Sequence, residues 1–144
     1  MKYVLKAIKK IQKDKLDSFF MVFDRDPWNN TPQQLEEIKK LAKDKGVELI
    51  MSNKSFEVWL LLHFDKFNKK VLRNEEYEKL LTALLWKFYQ KNDPKLYEYI
   101  KDNTTNAIEN AKWLEKQHID NGEDLYVAEP YTSMHKLVEK IIDR

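Results

Sequence analysis

Apolar and polar stretches along the first part of the chain predict a helix followed by a strand. Val4, Ile8 and Ile11 recur at helical spacing among lysines, which predicts an amphipathic helix over residues 1–15 with a basic, solvated face. The uninterrupted apolar run at 18–23, SFFMVF, is typical of a strand that is buried on both faces of a parallel sheet.

The next helix carries boundary signals at both ends. Thr31 is the expected N-cap, Pro32 the first helical residue, and Gln34 completes a capping box. Gly46, just beyond the last turn, marks the end of the helix. Residues 47–51 then predict a second short strand. Strand, helix and strand together predict a βαβ unit with parallel strands and a right-handed crossover.

Residues 52–64, SNKSFEVWLLLHF, are the least ordinary stretch of the chain. The run after the polar start is apolar on almost every side apart from Glu57 and His63, which predicts a buried helix capped by the preceding Ser and Asn residues. A strand is the competing interpretation. Glu57 suits the helix dipole in the first turn, whereas His63 shares a face with Trp59 and is expected to pack there and donate one hydrogen bond. Glu57 and His63 fall on different faces and are not expected to share a site.

The remainder of the chain is predicted to be largely helical. The strongest helical periodicity places six apolar side chains on one face, namely Tyr77, Leu80, Leu81, Leu84, Leu85 and Phe88. The pattern further predicts a break at 91–94, followed by a short helical piece and by a cap region at 103–106 before another helix. A turn at 121–122 and a short strand at 125–128 are expected next. The last predicted helix follows 130–133, and the side chains expected to face inward are Met134, Leu137, Val138, Ile141 and Ile142.

Length and composition predict one soluble domain spanning residues 1–144. The 26 basic and 24 acidic residues nearly cancel, to a net charge of +2, so overall charge indicates neither a nucleic-acid nor a membrane partner. The absence of cysteine excludes a disulfide framework and a thiolate zinc site, and agrees with a cytoplasmic location. No apolar run approaches the roughly 20 residues that a membrane-spanning helix needs.

Asp24 and Asp26 follow the first strand, two residues apart, so both side chains point the same way if the strand geometry persists. Ligand sites of open α/β sheets lie at the carboxyl edge, and Mg²⁺ prefers a few carboxylates with several retained waters. A solvated turn is the alternative, since Asp before Pro and Asn is common turn chemistry. Composition alone leaves both interpretations open.

Together, VFDRD, the capped helix, SNKSFEVWLLLHF and EPYTSMHKLV resemble the RloB-like family from about residue 18 to the C-terminus. That family is similar to Toprim-fold proteins, occurs with restriction and abortive-infection loci, and is often paired with an ATPase. The resemblance implies an α/β fold with a small Toprim-like parallel sheet. It implies catalytic roles for Asp24, Asp26 and Glu57, Mg²⁺ binding by Asp24 and Asp26, and supporting roles for Ser52, Asn53 and His63.

The chain departs from the family pattern at three places. We expect it to lack the first strand and the acidic loop that supplies a further Glu. Lys54 and Ser55 replace a Pro and a small residue, and Glu129 replaces an Asn. Two-metal chemistry needs enough anionic ligands for two cations, which two Asp side chains alone do not provide. Glu57 is expected to substitute if its helix starts beside the sheet edge.

Two functions compete on this basis. The first is a phage-defence component that resembles a Toprim-like, Mg²⁺-dependent nuclease acting on nucleic acid. The second is a non-catalytic interaction or regulatory module that partners an ATPase, motivated by the missing Glu. A third interpretation is that the true start lies upstream of Met1. A sheet without its first strand would also leave an exposed edge that a second copy covers in a homo-oligomer.

Overall fold

A small sheet in the N-terminal half and a cluster of packed helices in the C-terminal half make up the fold. The computed structural model describes residues 2–11, 18–25, 31–71 and 73–143. The elements in chain order are α1 (Lys2–Lys10), β1 (Phe19–Asp24), α2 (Pro32–Lys45), β2 (Val47–Asn53), α3 (Glu57–Leu62), α4 (Asn74–Leu85), α5 (Leu96–Ile100), a 3₁₀ turn (Lys101–Asn103), α6 (Thr104–Asp120), β3 (Tyr131–Thr132) and α7 (Met134–Ile142).

The predicted βαβ unit is confirmed. β1 and β2 run parallel in a register that pairs Phe19 with Val47 and Asp24 with Ser52. β3 joins the other side of β2 and runs antiparallel to it, pairing Thr132 with Ser52. Within the described residues the sheet is therefore a parallel pair plus one short antiparallel strand. The fold is α/β with a largely helical C-terminal half, as predicted.

β1 is not buried on both faces, contrary to the prediction from its apolar run. Phe19 and Met21 pack with Ile8 of α1 and Ile38 of α2, whereas Val22, on the opposite face, is 49% exposed. The reason is that α1 and α2 cover the face of Phe19 and Met21, whereas Val22 belongs to none of the hydrophobic clusters of the described residues. The predicted N-terminal helix is confirmed as α1, and residues 12–15 of that prediction lie outside the described residues.

α2 has the predicted boundaries, because both of its ends satisfy otherwise unpaired backbone groups. The Gln34 N–H donates to Thr31 Oγ1 over 3.3 Å, and the Thr31 N–H donates to Gln34 Oε1 over 3.2 Å, which completes the capping box. Gly46 ends the helix in the left-handed conformation with φ of 61°, which glycine adopts at little cost. β2 starts at the next residue.

α3 is the centre of the larger hydrophobic core. All six of its residues are buried, and it packs against α4 and α6 through a cluster that includes Leu61, Tyr77 and Leu114. The buried helix is thus confirmed. The predicted Ser or Asn cap is wrong, because Phe56 occupies the N-cap position and makes no side-chain capping bond. At the other end, Nδ1–H of His63 donates to the Trp59 carbonyl over 3.0 Å.

α4 is shorter than its apolar pattern predicts. It ends at Leu85, and Trp86 follows in the left-handed region with φ of 54°. Tyr77 and Leu81 are buried, but Leu84 is 40% exposed and Phe88, beyond the helix end, is 72% exposed. The predicted six-residue face is therefore wrong for its outer members, because only one narrow side of α4 meets α3.

The segment predicted as a strand at 125–128 instead forms turns, and the third strand is Tyr131–Thr132. The carbonyls of Val127 and Ala128 accept hydrogen bonds from the Asn53 side-chain amide, so they are not available to a strand partner. β2 runs on through Asn53, two residues beyond the predicted end, because Ser52 and Asn53 pair with Thr132 and Tyr131 of β3.

The last two helices confirm the predicted helical C-terminal region. α6 begins at Thr104, inside the predicted cap region, and Asn103 makes no side-chain capping bond. In α7, Ile141 and Ile142 are 60% and 61% exposed, so the prediction that they face inward is wrong. No helix within the described ranges is both long and apolar enough to cross a bilayer.

Replacing a buried leucine of α4 should cost far more stability than replacing an exposed one. We expect Leu81→Ala to lower the free energy of unfolding by about 2–5 kcal/mol, because the side chain is fully buried and leaves a cavity. Leu84→Ala, the matched control on the same helix, should cost less than about 1 kcal/mol. Urea unfolding of both variants measures the difference, and equal losses would contradict the packing described for α4.

Stability should fall as the pH is lowered through the histidine range. Burial lowers the pKa of His63, and the carbonyls of Trp59 and Leu60 offset this only in part. The unfolded chain therefore takes up a proton near the ordinary histidine pKa of about 6.5, while the folded chain resists it until lower pH. The stability that neutral His63 contributes is thus fully present above that range. It is lost as the pH falls through the pKa of His63 in the folded protein.

The measurement is the free energy of unfolding between about pH 7.5 and about pH 5. Burial also lowers the pKa of His135, which contributes with the same sign. We expect His63→Gln to be less stable than the parent at neutral pH. Its free energy of unfolding should also depend less steeply on pH, with a slope that differs from the parent's by at most about 1.4 kcal/mol per pH unit. An unchanged slope would remove His63 from this linkage.

Candidate functional site

Asp24 ends β1 at the carboxyl edge of the parallel strand pair. The Arg25 N–H donates to the Ser52 carbonyl over 2.8 Å, so the pairing with β2 persists one residue past the carboxylate. Although Asp24 is exposed, the surrounding protein raises its pKa by desolvation. The charge of Lys91 and the backbone N–H of Phe56 lower the pKa of Asp24, whereas the charge of Glu57 raises it further.

Glu57 is an acid buried at the first residue of α3, with 4% of its surface exposed. Its Oε1 accepts a hydrogen bond from the Tyr89 hydroxyl over 3.1 Å and lies 3.3 Å from Lys91 Nζ. Burial and the Glu57 carboxylate raise the pKa of Tyr89, which keeps the phenol protonated as a donor. The buried negative charge therefore has both a neutral donor and a cation beside one of its oxygens.

The second carboxylate oxygen of Glu57 is not used in the same way. Glu57 Oε2 and Ser55 Oγ are both buried, and neither has a hydrogen-bond partner of ordinary geometry within the described residues. Burial alone would raise the pKa of Glu57, but the Ser55 hydroxyl beside it, its own backbone N–H and Lys91 together hold the pKa below the usual value. Glu57 is thus an ionised carboxylate, and one of its oxygens is buried with no hydrogen bond of ordinary geometry to the described residues.

Lys91 forms an ion pair with Glu57, and the charges of both residues also act on the pKa of Asp24. Asp26, the other predicted metal ligand, lies outside the described residues. Within the residues that the structure describes, no three His, Asp or Glu side chains are grouped to hold a metal ion. Asp24 and Glu57 are the two acids here that could serve as ligands of a divalent cation.

Ser52 and Asn53, predicted to support the site, brace the end of β2. Ser52 Oγ lies 2.9 Å from Thr132 Oγ1 across the β2–β3 pair. The fully buried Asn53 donates to the Ala128 carbonyl over 2.7 Å. The Asn53–Lys54 and Glu129–Pro130 peptide bonds, on either side of this junction, are both cis. These contacts fix the turn from which α3 departs, and they leave Asn53 Oδ1 without a partner in the described chain.

His63 and Glu57 have different neighbours, which agrees with the prediction that they lie on different faces of the helix. It lines an apolar groove of about 520 Å³ between α3, α5 and α7, with Trp59, Tyr97 and Ile141. The His63 and Trp59 rings meet edge to face at 4.9 Å. The packing role predicted for His63 is therefore what the geometry shows.

Tyr89 and Lys91 were not identified as site residues by their sequence pattern. Lys91 opens the polar break before Pro94, and Tyr89 lies at the end of what the periodicity assigns to a helix. Both contact Glu57 from a distant part of the chain, so no spacing within either segment signals the pairing. A buried Glu at the start of an apolar helix was the one available signal, because such a charge needs partners.

No curated protein and no solved structure matches the chain. The family model described as RloB-like protein matches residues 1–141. The match includes α1, ahead of residue 18, where the resemblance in the motifs begins. The chain therefore belongs to the RloB-like family.

Proposed function

We propose that the chain is a metal-dependent nuclease that serves as a phage-defence component of the abortive-infection type. The observation that carries the proposal is the position of Asp24 at the carboxyl edge of the parallel strands, within range of the charge of the buried Glu57, which is far from it in sequence. Such edges hold the ligand sites of open α/β sheets. The defence context rests on what the family resemblance implies and not on the geometry.

The residues fit one Mg²⁺ ion better than two. Glu57 Oε2 and the Asp24 carboxylate offer two acidic donors, and Mg²⁺ commonly takes one or two carboxylates while keeping several waters. A pair of ions about 3.5–4 Å apart would need a larger acidic set. Asp26, which follows Asp24 by two residues, is the natural further donor in this proposal.

When bound, the ion would polarise a phosphoryl oxygen and acidify a water molecule. The chain's own residues would do the rest. Asp24 and Glu57 would hold the ion, and Tyr89 would keep the Glu57 carboxylate oriented through its 3.1 Å hydrogen bond. Lys91, whose side chain is 61% exposed, would present its ammonium group to the phosphate next to the scissile bond.

Neutralising either acid should abolish cleavage of nucleic acid. We expect Asp24→Asn and Glu57→Gln to lower Mg²⁺- or Mn²⁺-dependent cleavage by more than about 100-fold, since even outer-shell partners of metal ligands cost roughly 10- to 100-fold. Single- and double-stranded DNA and RNA should all be assayed. Asp44→Asn, an exposed acid in the last turn of α2, is the matched control and should leave the rate unchanged. Undiminished cleavage by Asp24→Asn would remove this site from the mechanism.

A non-catalytic module that docks onto an ATPase is the second candidate. One observation favours it: Lys91 Nζ lies 3.3 Å from Glu57 Oε1. The ammonium group already neutralises the charge of Glu57, so this carboxylate does not need a metal ion to balance it. The described residues also lack a three-acid group. In this alternative, the Glu57–Lys91 pair fixes the loop after α4 and contributes to the shape of a docking surface.

Metal binding to variants of Lys91 should separate the two candidates. If Asp24 and Glu57 form a cation site, Lys91→Met should tighten Mn²⁺ binding by about tenfold, because one competing positive charge is removed. Asp24→Asn should abolish the binding. Calorimetry on the folded chain measures both effects. If neither the parent nor Lys91→Met binds Mn²⁺, and the chain co-purifies with an ATPase encoded beside it, the non-catalytic module would be favoured.

A further inference from the structure

Two large aromatic side chains of the segment between α4 and α5 point into solvent. Trp86 is 95% exposed and Phe88 is 72% exposed. Trp86 also adopts a φ of 54°, a conformation that bulky residues rarely take. Rings with so little contact contribute little to folding, so the core does not account for their presence at these positions.

The backbone that carries these rings is held in place. The Tyr89 N–H donates to Thr82 Oγ1 over 3.0 Å, which ties the segment back to α4. Lys87 Nζ donates to Asp93 Oδ2 over 2.7 Å and to the Tyr99 hydroxyl over 3.0 Å, which ties it forward to α5. The exposed rings are therefore presented from a braced loop, and a ligand would not have to order the backbone to use them.

The same loop reaches the candidate site. Tyr89 and Lys91, which follow Phe88 closely, both contact the Glu57 carboxylate. Residues 86–95 carry three lysines and one aspartate, so the segment is positively charged. Exposed aromatic rings interleaved with lysines are the chemistry that binds unpaired nucleotides, where bases stack on the rings and lysines meet the backbone phosphates.

We propose that Trp86 and Phe88 form a stacking surface for the bases of single-stranded nucleic acid. The proposal rests on the proposed function, since it identifies the substrate class of that site. Lys91 follows Phe88 by three residues in the same loop, so we expect its ammonium group to be available to a phosphate of the stacked strand. A base-paired duplex hides its base faces, so it gains no stacking at this surface.

The test is fluorescence anisotropy of the whole chain with a labelled oligothymidylate and oligouridylate of about 20 nucleotides, in EDTA. We expect Trp86→Ala and Phe88→Ala each to weaken binding by about tenfold. Trp86→Phe, which keeps a ring, should stay within about twofold of the parent. Tyr3→Ala removes another aromatic side chain, 85% exposed on α1, and should have no effect. A duplex of the same length should bind at least about tenfold more weakly than the single strand.

Equal binding by the parent and Trp86→Ala would overturn the inference, and so would a duplex that binds as well as the single strand. Loss of self-association in Trp86→Ala, seen by sedimentation, would overturn it too, because the rings would then belong to a contact between copies. EDTA separates this test from the nuclease proposal. Trp86-dependent binding without cleavage refutes only the nuclease, and Asp24-dependent cleavage with Trp86-independent binding refutes only the stacking surface.

Discussion

The buried carboxylate of Glu57 is the constraint on which the arrangement around the site depends. An ionised acid in the interior is costly unless donors and a cation surround it. Tyr89 and Lys91 meet this requirement at one oxygen. Because both residues belong to the loop after α4, satisfying one charge at the start of α3 also fixes the path of a distant segment. The site and the loop are therefore one structural unit.

The strand pair supplies the other half of the site through ordinary backbone chemistry. The capped ends of α2 set the length of the crossover, so that β2 begins at Val47 and pairs with β1 as far as Asp24 and Ser52. Ser52 and Asn53 then bond to β3 and to the turn before it, which fixes the direction in which the chain enters α3. These backbone contacts place Asp24 at the strand end and Glu57 at the helix start within range of each other's charge.

Local signals in the sequence predicted those elements whose ends are determined locally. Thr31, Gln34 and Gly46 defined α2, and the unbroken apolar run defined α3. The same reasoning failed where long-range contacts decide: the Asn53 amide takes the carbonyls of 127–128, so the strand forms at Tyr131 instead. Of the candidate site, the sequence singled out Asp24 and Glu57, whose charges influence each other in the structure, and their catalytic roles stay a prediction. It did not identify Tyr89 and Lys91, because a tertiary ion pair leaves no periodic trace.

In the proposed nuclease, the position of Lys91 would have opposite consequences for the binding of a metal ion and of a phosphate. Its ammonium group lowers the pKa of both Asp24 and Glu57, so it favours the charged acids that a cation needs while competing with that cation for them. Since the Lys91 side chain is largely exposed, its ammonium can turn toward solvent without unfolding the loop, whereas the Tyr89 hydrogen bond keeps Glu57 oriented. A phosphate arriving beside the acids would draw the ammonium away from Glu57 and leave that carboxylate to the metal. Metal and phosphate would then favour each other's binding, because each removes the competitor of the other.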